Sequence, residues 1–380
     1  MNVLVFLPID TIVKTWARQF EADGHRVETT FTFSTFLKRV RQADWTLVNV
    51  SKNDSPRFVW KLLLSLLWAR LFRRRVALFI SIDPVDLCDR PILRAVLWTI
   101  NRVAFHCATL VFLLAAREHV VRRYHLARDR VIPVYNCPDR ATFGAVGQVG
   151  DLSQEPPAAR QAGKMPRSAE RAIGRPIDNL SHPLTFLYHG ELLWWHGLER
   201  FLPLYVEIRK HRPARLIVTG NFYPSVFRVF GLAASRREAG VKRQLADLLA
   251  RTDVEYRGRV PLEELRRLMA EADFHVSLLN DQELLARTEL RTGLLEAMAA
   301  GMVCLHAPTP ALPADIFRDG ENILLIDPND PAASAAKILA LADSPDRLES
   351  IRRQAVETIA RHFDMNEQYA KAVAAMTKVA

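Results

Sequence analysis

The chain has 380 residues, 49% of them hydrophobic and 25% charged, and its 52 Lys and Arg outweigh 42 Asp and Glu to give a net charge of +10. That length allows two or three domains, and the composition excludes a wholly disordered chain, a collagen and a disulfide miniprotein. The positive balance points to an anionic partner: nucleic acid, a phosphorylated ligand or a membrane surface. It is also uneven. Residues 1–140 hold 22 Lys and Arg against 12 Asp and Glu, whereas residues 141–380 hold 30 of each. Cys88, Cys107, Cys137 and Cys304 are scattered with no CxxC spacing, so they read as reduced structural thiols. Pro8 and Asp10 interrupt the first apolar run and no basic segment precedes it, which reads against a signal peptide. Residues 96–116 are the most apolar stretch but include Asn101, Arg102 and His106, so they read as a buried helix running into a strand.

In chain order, residues 2–8 predict a buried strand, residues 14–23 a helix closed by Gly24, and residues 25–33 a second strand. Further apolar runs at 45–50, 76–82, 109–114 and 131–134 predict strands, with helical stretches between them. Residues 144–182 change character, with Gly, Ser, Arg and Pro dominating, and read as a linker or long flexible loop. A second alternation follows, with strands expected at 184–188, 215–219, 254–257, 274–279, 303–306 and 322–326 and helices at 198–210 and 262–272. Helices at 345–362 and 366–377 close the chain. Such alternation predicts two doubly wound α/β domains of parallel strands. Their ligand site should lie at the carboxyl ends of the strands, in the cleft between the domains.

Two segments at such positions carry the candidate chemistry. The first is Thr288-Glu-Leu-Arg-Thr-Gly-Leu-Leu-Glu-Ala-Met-Ala-Ala-Gly301. Thr292 is placed to cap a helix starting near Gly293, leaving the N–H groups of Gly293 and Leu294 to face an anion. Glu296 lies about one turn further on, where a carboxylate can accept both hydroxyls of a ribose or simply complement the helix dipole. The second segment, His189-Gly-Glu-Leu-Leu-Trp-Trp-His-Gly197, follows the strand 184–188. Gly190 permits close backbone approach, and His196 and Gly197 open the next helix. Trp194 and Trp195 line the cleft or pack internally.

Together these segments resemble the C-terminal domain of GT-B glycosyltransferases, specifically glycosyltransferase family 4, the "group 1" type. Tyr188-His-Gly-Glu191, Trp195-His-Gly-Leu198, Leu216-Ile-Val-Thr-Gly220 and Val254-Glu-Tyr-Arg-Gly-Arg-Val260 carry the likeness in order. Leu268-Met-Ala-Glu-Ala-Asp273, Leu295-Glu-Ala-Met-Ala-Ala-Gly301 and the run Asp319 to Pro328 complete it. In the first half, Asp23-Gly-His-Arg-Val27 and Val131-Ile-Pro-Val-Tyr-Asn136 with Phe143 are similar but looser. The resemblance implies a GT-B architecture of two Rossmann-like doubly wound domains. Residues 1–143 would form the acceptor-side domain, 144–182 the linker and 183–363 the nucleotide-sugar domain. Residues 364–380 would be a helix crossing back to the first domain. It implies transfer of a sugar from a nucleotide-sugar donor, with retention and without a metal or other cofactor.

The site residues follow by the same likeness. Gly190, His196, Gly197, Arg287, Arg291, Thr292, Gly293, Leu294 and Glu296 would bind donor, with Glu296 on the ribose and Gly293 and Leu294 on the diphosphate. Asp83, at the end of a predicted strand before Pro84, would be a polar residue of the acceptor side or of catalysis. Three departures stand out. Thr288 occupies the place of the family's first glutamate, which contacts the donor sugar, with Glu289 one position off, so these two join Asp83 as the catalytic candidates. Glu191 and His196 stand where cations usually neutralise diphosphate, leaving Arg287 or Arg291 for that role. Pro8-Ile-Asp-Thr11 replaces the usual Gly-rich turn.

Residues 57–75 combine a broad apolar face (Trp60, Leu64, Leu67, Leu71) with Lys61, Arg70 and Arg73–Arg75. Such a helix either packs in the core with a solvated basic end or lies on an anionic membrane surface. The basic residues are interleaved with Leu and Trp and no nucleic-acid motif occurs, so nucleic acid is not the expected partner. The expected protein is a cytoplasmic enzyme, peripheral on the inner face of a membrane, acting on a glycan or lipid-linked acceptor. A catalytically weak GT-B homologue serving as a binding subunit and a sugar-nucleotide epimerase of the same fold are the alternatives.

Overall fold

The computed structural model describes residues 1–6, 11–50, 56–80, 91–114, 117–138, 183–193, 196–222, 236–279 and 290–379. The expected linker 144–182, Asp83, Arg287, Thr288, Glu289, Trp194 and Trp195 lie outside the described residues.

In the first half, β1 (Asn2–Phe6), α1 (Thr11–Ala22), β2 (Arg26–Thr30), α2 (Phe33–Arg39) and β3 (Trp45–Val50) lead into α3 (Pro56–Leu71) and β4 (Arg75–Ile80). They continue with α4 (Pro91–Cys107), β5 (Leu110–Leu113), α5 (Arg117–Tyr124) and β6 (Val131–Pro133). These six strands form one sheet in the order β2-β1-β3-β4-β5-β6, every pairing parallel. Strands buried on both faces need unbroken apolar runs, and Val76–Ile80 and Leu110–Leu113 supply them.

In the second half, β7 (Leu184–Tyr188), α6 (Phe201–His211), β8 (Ala214–Thr219), α7 (Arg236–Leu249) and β9 (Val254–Gly258) wind outward. Then α8 (Leu262–Glu271), β10 (Phe274–Val276), α9 (Thr292–Ala299), β11 (Val303–His306) and β12 (Leu324–Leu325) wind to the other side. The sheet order is β12-β11-β10-β7-β8-β9, again all parallel. The winding therefore reverses between β7 and β10. In open α/β sheets that reversal opens a crevice beyond the strands' carboxyl ends. The crevice here is bounded by the loop after β7 and the start of α9.

Helices α10 (Pro331–Ala342), α11 (Pro345–His362) and α12 (Met365–Lys378) end the chain. Two segments tie the halves together. After β6, Tyr135 and Cys137 pack into the core around Phe317 and Phe363 of the second half. In return, Tyr369, Ala372 and Met376 of α12 are buried with Trp16, Phe20, Phe79 and Phe112 of the first half. The Tyr369 hydroxyl donates to Asp23 at 2.7 Å, and burial together with that carboxylate pushes its pKa well up. Gln368, fully buried, accepts the Tyr135 N–H at 3.3 Å.

Some expected bounds differ. Residues 274–279 pair as a strand only over Phe274–Val276, and residues 322–326 only over Leu324–Leu325. Leu278 and Leu279 are fully buried even so, so the apolar run there marks burial rather than pairing. The expected helix 198–210 is a single 3₁₀ turn, Leu198–Arg200, followed by α6.

Candidate functional site

Strand β7 delivers His189 and Gly190 to the crevice. Gly190 has φ +112°, and Gly220 at the end of β8 has φ +119°. A Cβ on Gly220 would lie 1.8 Å from the Gly190 carbonyl oxygen, so the two strand ends touch backbone to backbone and Gly220 accommodates no side chain there. The loop beyond is braced from inside. The Tyr188 hydroxyl donates to the Glu191 carbonyl at 2.8 Å, and His196 Nδ1 lies 3.0 Å from the same oxygen. His196 is thus buried beneath the loop, while Glu191 is exposed. Gly197 adopts left-handed backbone (φ +67°) and opens the 3₁₀ turn.

Helix α9 starts differently from its expectation. The cap position is Arg291 (φ −67°, ψ 130°), with no side-chain cap bond. Thr292 is already helical, which turns its hydroxyl away from its own helix's N–H groups. It accepts instead from Asn136 Nδ2 at 3.0 Å, a bond from the segment that leaves β6. The Leu294 N–H is also committed, to the Arg291 carbonyl at 3.2 Å. The N–H groups of Thr292 and Gly293 remain as the first-turn donors for a ligand, since such groups have no partner within a helix.

Arg291 is the feature the sequence conceals. A loop arginine ordinarily lies in solvent, yet this one is 3% exposed. Its guanidinium lies over the Tyr188 ring, 5.0 Å from the centroid. Nη2 donates to the His189 carbonyl at 3.4 Å, and Nη1 is buried without a hydrogen-bond partner. A Cβ on Gly190 would lie 3.5 Å from Nη2, so the glycine keeps the guanidinium's surroundings open. Other buried arginines of this half face carboxylates. Arg212 pairs with Asp343 at 3.2 Å, and Arg352 feels Asp273 and Glu349. Arg291 has no ion pair among the described residues.

Three histidines surround this cation. His189 Nε2 lies 3.1 Å from Glu296 Oε2. His275 on β10 packs its ring 4.7 Å from that of His189 and makes no hydrogen bond through either nitrogen. Burial, then the charges of His189, Arg291 and His306, hold the pKa of His275 well below the usual imidazole value. His306 at the end of β11 is pulled down to about 4, chiefly by burial. Both rings are therefore neutral near pH 7 and add no second positive charge beside Arg291. Burial pushes the Cys304 thiol far up, so it is an inert core group. Among the described residues, no group of three or more His, Cys, Asp or Glu side chains gathers to hold a metal ion.

The crevice therefore gathers Gly190, Arg291, Thr292, Gly293 and Glu296. It places His196 and Gly197 beneath and beyond the loop, with Leu294 turned into the core. Sequence reasoning missed His189, His275 and Asn136. The signal for His189 was its position just past the end of β7, and for His275 a lone polar residue inside an otherwise apolar strand.

Comparison with known proteins bears on this arrangement. Residues 183–344 match the profile of the family described as Glycosyl transferases group 1. A search of curated proteins gives no match. Among solved structures, HepE of Anabaena in complex with UDP is 14% identical, covers 100% of both chains and superposes with a TM-score of 0.65. The same protein with UDP-glucose gives 17% identity and 0.60 over 98% of this chain and 91% of that one. Sucrose-phosphate synthase of Thermosynechococcus elongatus is 14% identical with a TM-score of 0.66, covering 100% and 99%. A glycosyltransferase of Rickettsia africae is 12% identical at 0.60, covering 100% and 98%. The fold is the two-domain α/β arrangement of GT-B glycosyltransferases.

Proposed function

We propose that this protein is a retaining, metal-independent glycosyltransferase of family 4. It would transfer a hexose-type sugar from a nucleoside diphosphate donor to a glycan or lipid-linked acceptor, in the synthesis of a cell-surface polysaccharide or glycoconjugate. The observation that carries this reading is Arg291: a buried cation with no carboxylate partner among the described residues, at an uncapped helix N-terminus beside a glycine strand end. An unpaired buried charge is costly, and a bound diphosphate would complete it. The family profile match over 183–344 and the shared fold with proteins solved with UDP and UDP-glucose support the same reading.

In this reading the N–H groups of Thr292 and Gly293 and the Arg291 guanidinium receive the two phosphates. Preorganised donors of this kind stabilise the charge that develops as the diphosphate departs. The Glu296 carboxylate, 22% exposed, accepts the ribose hydroxyls. Gly190 and Gly197 let the donor approach the backbone, and His196 holds the loop shape. Arg287 is assigned with Arg291 to the diphosphate, Thr288 or Glu289 to the donor sugar as catalytic candidates, and Asp83 to the acceptor side or to catalysis. Parent protein should be stabilised against heat by a nucleoside diphosphate and by one nucleotide sugar from a panel. Glu296→Ala should lose donor turnover; undiminished transfer would refute the assignment.

The acceptor side is proposed to dock on an anionic membrane from the cytoplasmic face. On α3, Leu64, Leu67 and Leu71 are exposed at 52%, 45% and 67% on one face, beside exposed Arg70 and Arg73. Val96, Val103, Arg94 and Arg102 are exposed on the adjacent α4. No described helix is long and apolar enough to cross a membrane. The variant Leu67→Gln/Leu71→Gln/Arg70→Gln/Arg73→Gln should lose flotation with anionic vesicles; full retention would end this part. The exposed Glu191 in the first loop favours the second reading, a weak homologue that binds donor without transferring it. Donor binding with no product across an acceptor panel would select that reading.

A further inference from the structure

The carboxylate assigned to ribose is not free to choose its position. His189 leaves the end of β7 and Glu296 lies in the second turn of α9, 107 residues later, yet Nε2 and Oε2 are 3.1 Å apart. The His189 side chain is 4% exposed and that of Glu296 is 22% exposed. One side of the carboxylate therefore faces the buried ring and the other faces outward. A carboxylate can only accept, so His189 Nε2 carries the hydrogen. Its Nδ1 has no partner, which leaves Glu296 as the ring's sole hydrogen-bond contact among the described residues.

Gly293 supplies a second, independent observation. A Cβ at this position would lie 3.2 Å from His189 Nε2, closer than ordinary contact, and 3.5 Å from the His189 carbonyl oxygen. Glycine is a poor helix former, and it stands here inside the first turn of α9. Its missing side chain clears the path along which His189 crosses that turn to reach Glu296. The ring is held from its other side by His275 at 4.7 Å, and the His189 carbonyl accepts from Arg291.

We infer that His189 is a positioning residue that fixes the Glu296 carboxylate for the paired hydroxyls of a ribose, and thereby makes the site discriminate ribonucleotides from 2′-deoxyribonucleotides. This rests on the donor reading above. An unheld glutamate samples several rotamers, and orienting it only on binding would consume part of the affinity. One lone pair on Oε2 goes to His189, and the outward lone pairs remain for the two hydroxyls. The consequence is selective: loss of the His189 bond weakens recognition of the sugar hydroxyls, not of the phosphates.

The test is calorimetric titration of the full chain with UDP, GDP and ADP and with the 2′-deoxy counterpart of each. The parent is expected to bind at least one ribonucleotide about tenfold or more tighter than its deoxy form, as suits a hydrogen bond to a charged group. His189→Phe keeps a ring but no donor, and should bring that ratio close to one while leaving deoxynucleotide affinity nearly unchanged. His189→Asn, with an amide too short to reach Glu296, should do the same and serves if the Phe variant does not fold. His189→Gln, whose Nε2 reaches as far as the imidazole nitrogen, should restore most of the ratio. A Phe or Asn variant that keeps the parent's ratio overturns the inference alone. Parent binding without discrimination overturns it together with the ribose role of Glu296. A parent that binds none of the three diphosphates overturns the donor reading as well.

Discussion

Helix α12 begins at Asp364, whose side chain accepts from the N–H groups of Asn366 and Glu367 at 2.8 and 3.3 Å. Helix α10 begins similarly at Asp330, which accepts from Ala333 at 3.0 Å. Helix α9 begins at Arg291, a side chain that can only donate. The first two ends are closed by a carboxylate of the protein's own. The third adds a buried positive charge to the positive end of the helix dipole and leaves first-turn donors uncommitted. An end of that kind is less stable in isolation than a capped one, and it gains most from an external anion. The contrast separates two helix ends closed by the protein's own carboxylates from one that, in the proposed reading, receives the anion of a ligand.

The contrast can be broken at its frame first. Gly220→Ala places a Cβ against the Gly190 carbonyl in backbone that L side chains rarely adopt. It should cost about 3 kcal/mol or more and abolish nucleotide binding; an unchanged urea midpoint would show that the two strand ends move freely.

Acidification should act on the same end. His306 has a folded pKa of about 4 against an ordinary 6.5, and His275 is shifted in the same direction. The unfolded chain therefore takes up protons first as pH falls. Stability from their neutral burial is complete above pH 6.5 and is lost as pH falls toward 4, by up to about 3 kcal/mol for His306. Urea midpoints at pH 7 and pH 5 measure it, and equal midpoints would contradict the burial of these rings. Gly190→Ala, at φ +112° and 3.5 Å from Arg291 Nη2, should cost about 1–2 kcal/mol and weaken diphosphate binding. At the closed end, Asp364→Ala should cost about 1 kcal/mol and leave nucleotide affinity unchanged. A loss of affinity there would erase the distinction between the two kinds of helix end.

Much of the fold was legible because parallel strands buried on both faces announce themselves as apolar runs. Residues 45–50, 184–188 and 303–306 read with the bounds they have. Strands β10 and β12 did not, because a run such as 274–279 records burial and cannot say where pairing stops. At the site, Glu296 was readable from the block Leu295 to Gly301, which is local. The His189–Glu296 and Asn136–Thr292 contacts span 107 and 156 residues, and no local pattern encodes them. Arg291 was named among two candidate cations, but its setting joins it to the Tyr188 ring and to the His189 carbonyl 102 residues earlier in the chain.

The most direct measurement compares the parent with Arg291→Met by thermal unfolding and by titration with UDP, GDP and ADP. Methionine fills a similar volume over Tyr188 without the charge. Methionine also removes the desolvation cost that a buried charge without a partner carries. The account predicts a ligand-free melting temperature that is unchanged or higher, with diphosphate affinity reduced at least about a hundredfold. A variant that binds diphosphate as the parent does, or that loses stability and affinity together, would contradict the claim that Arg291 is held there for an anion.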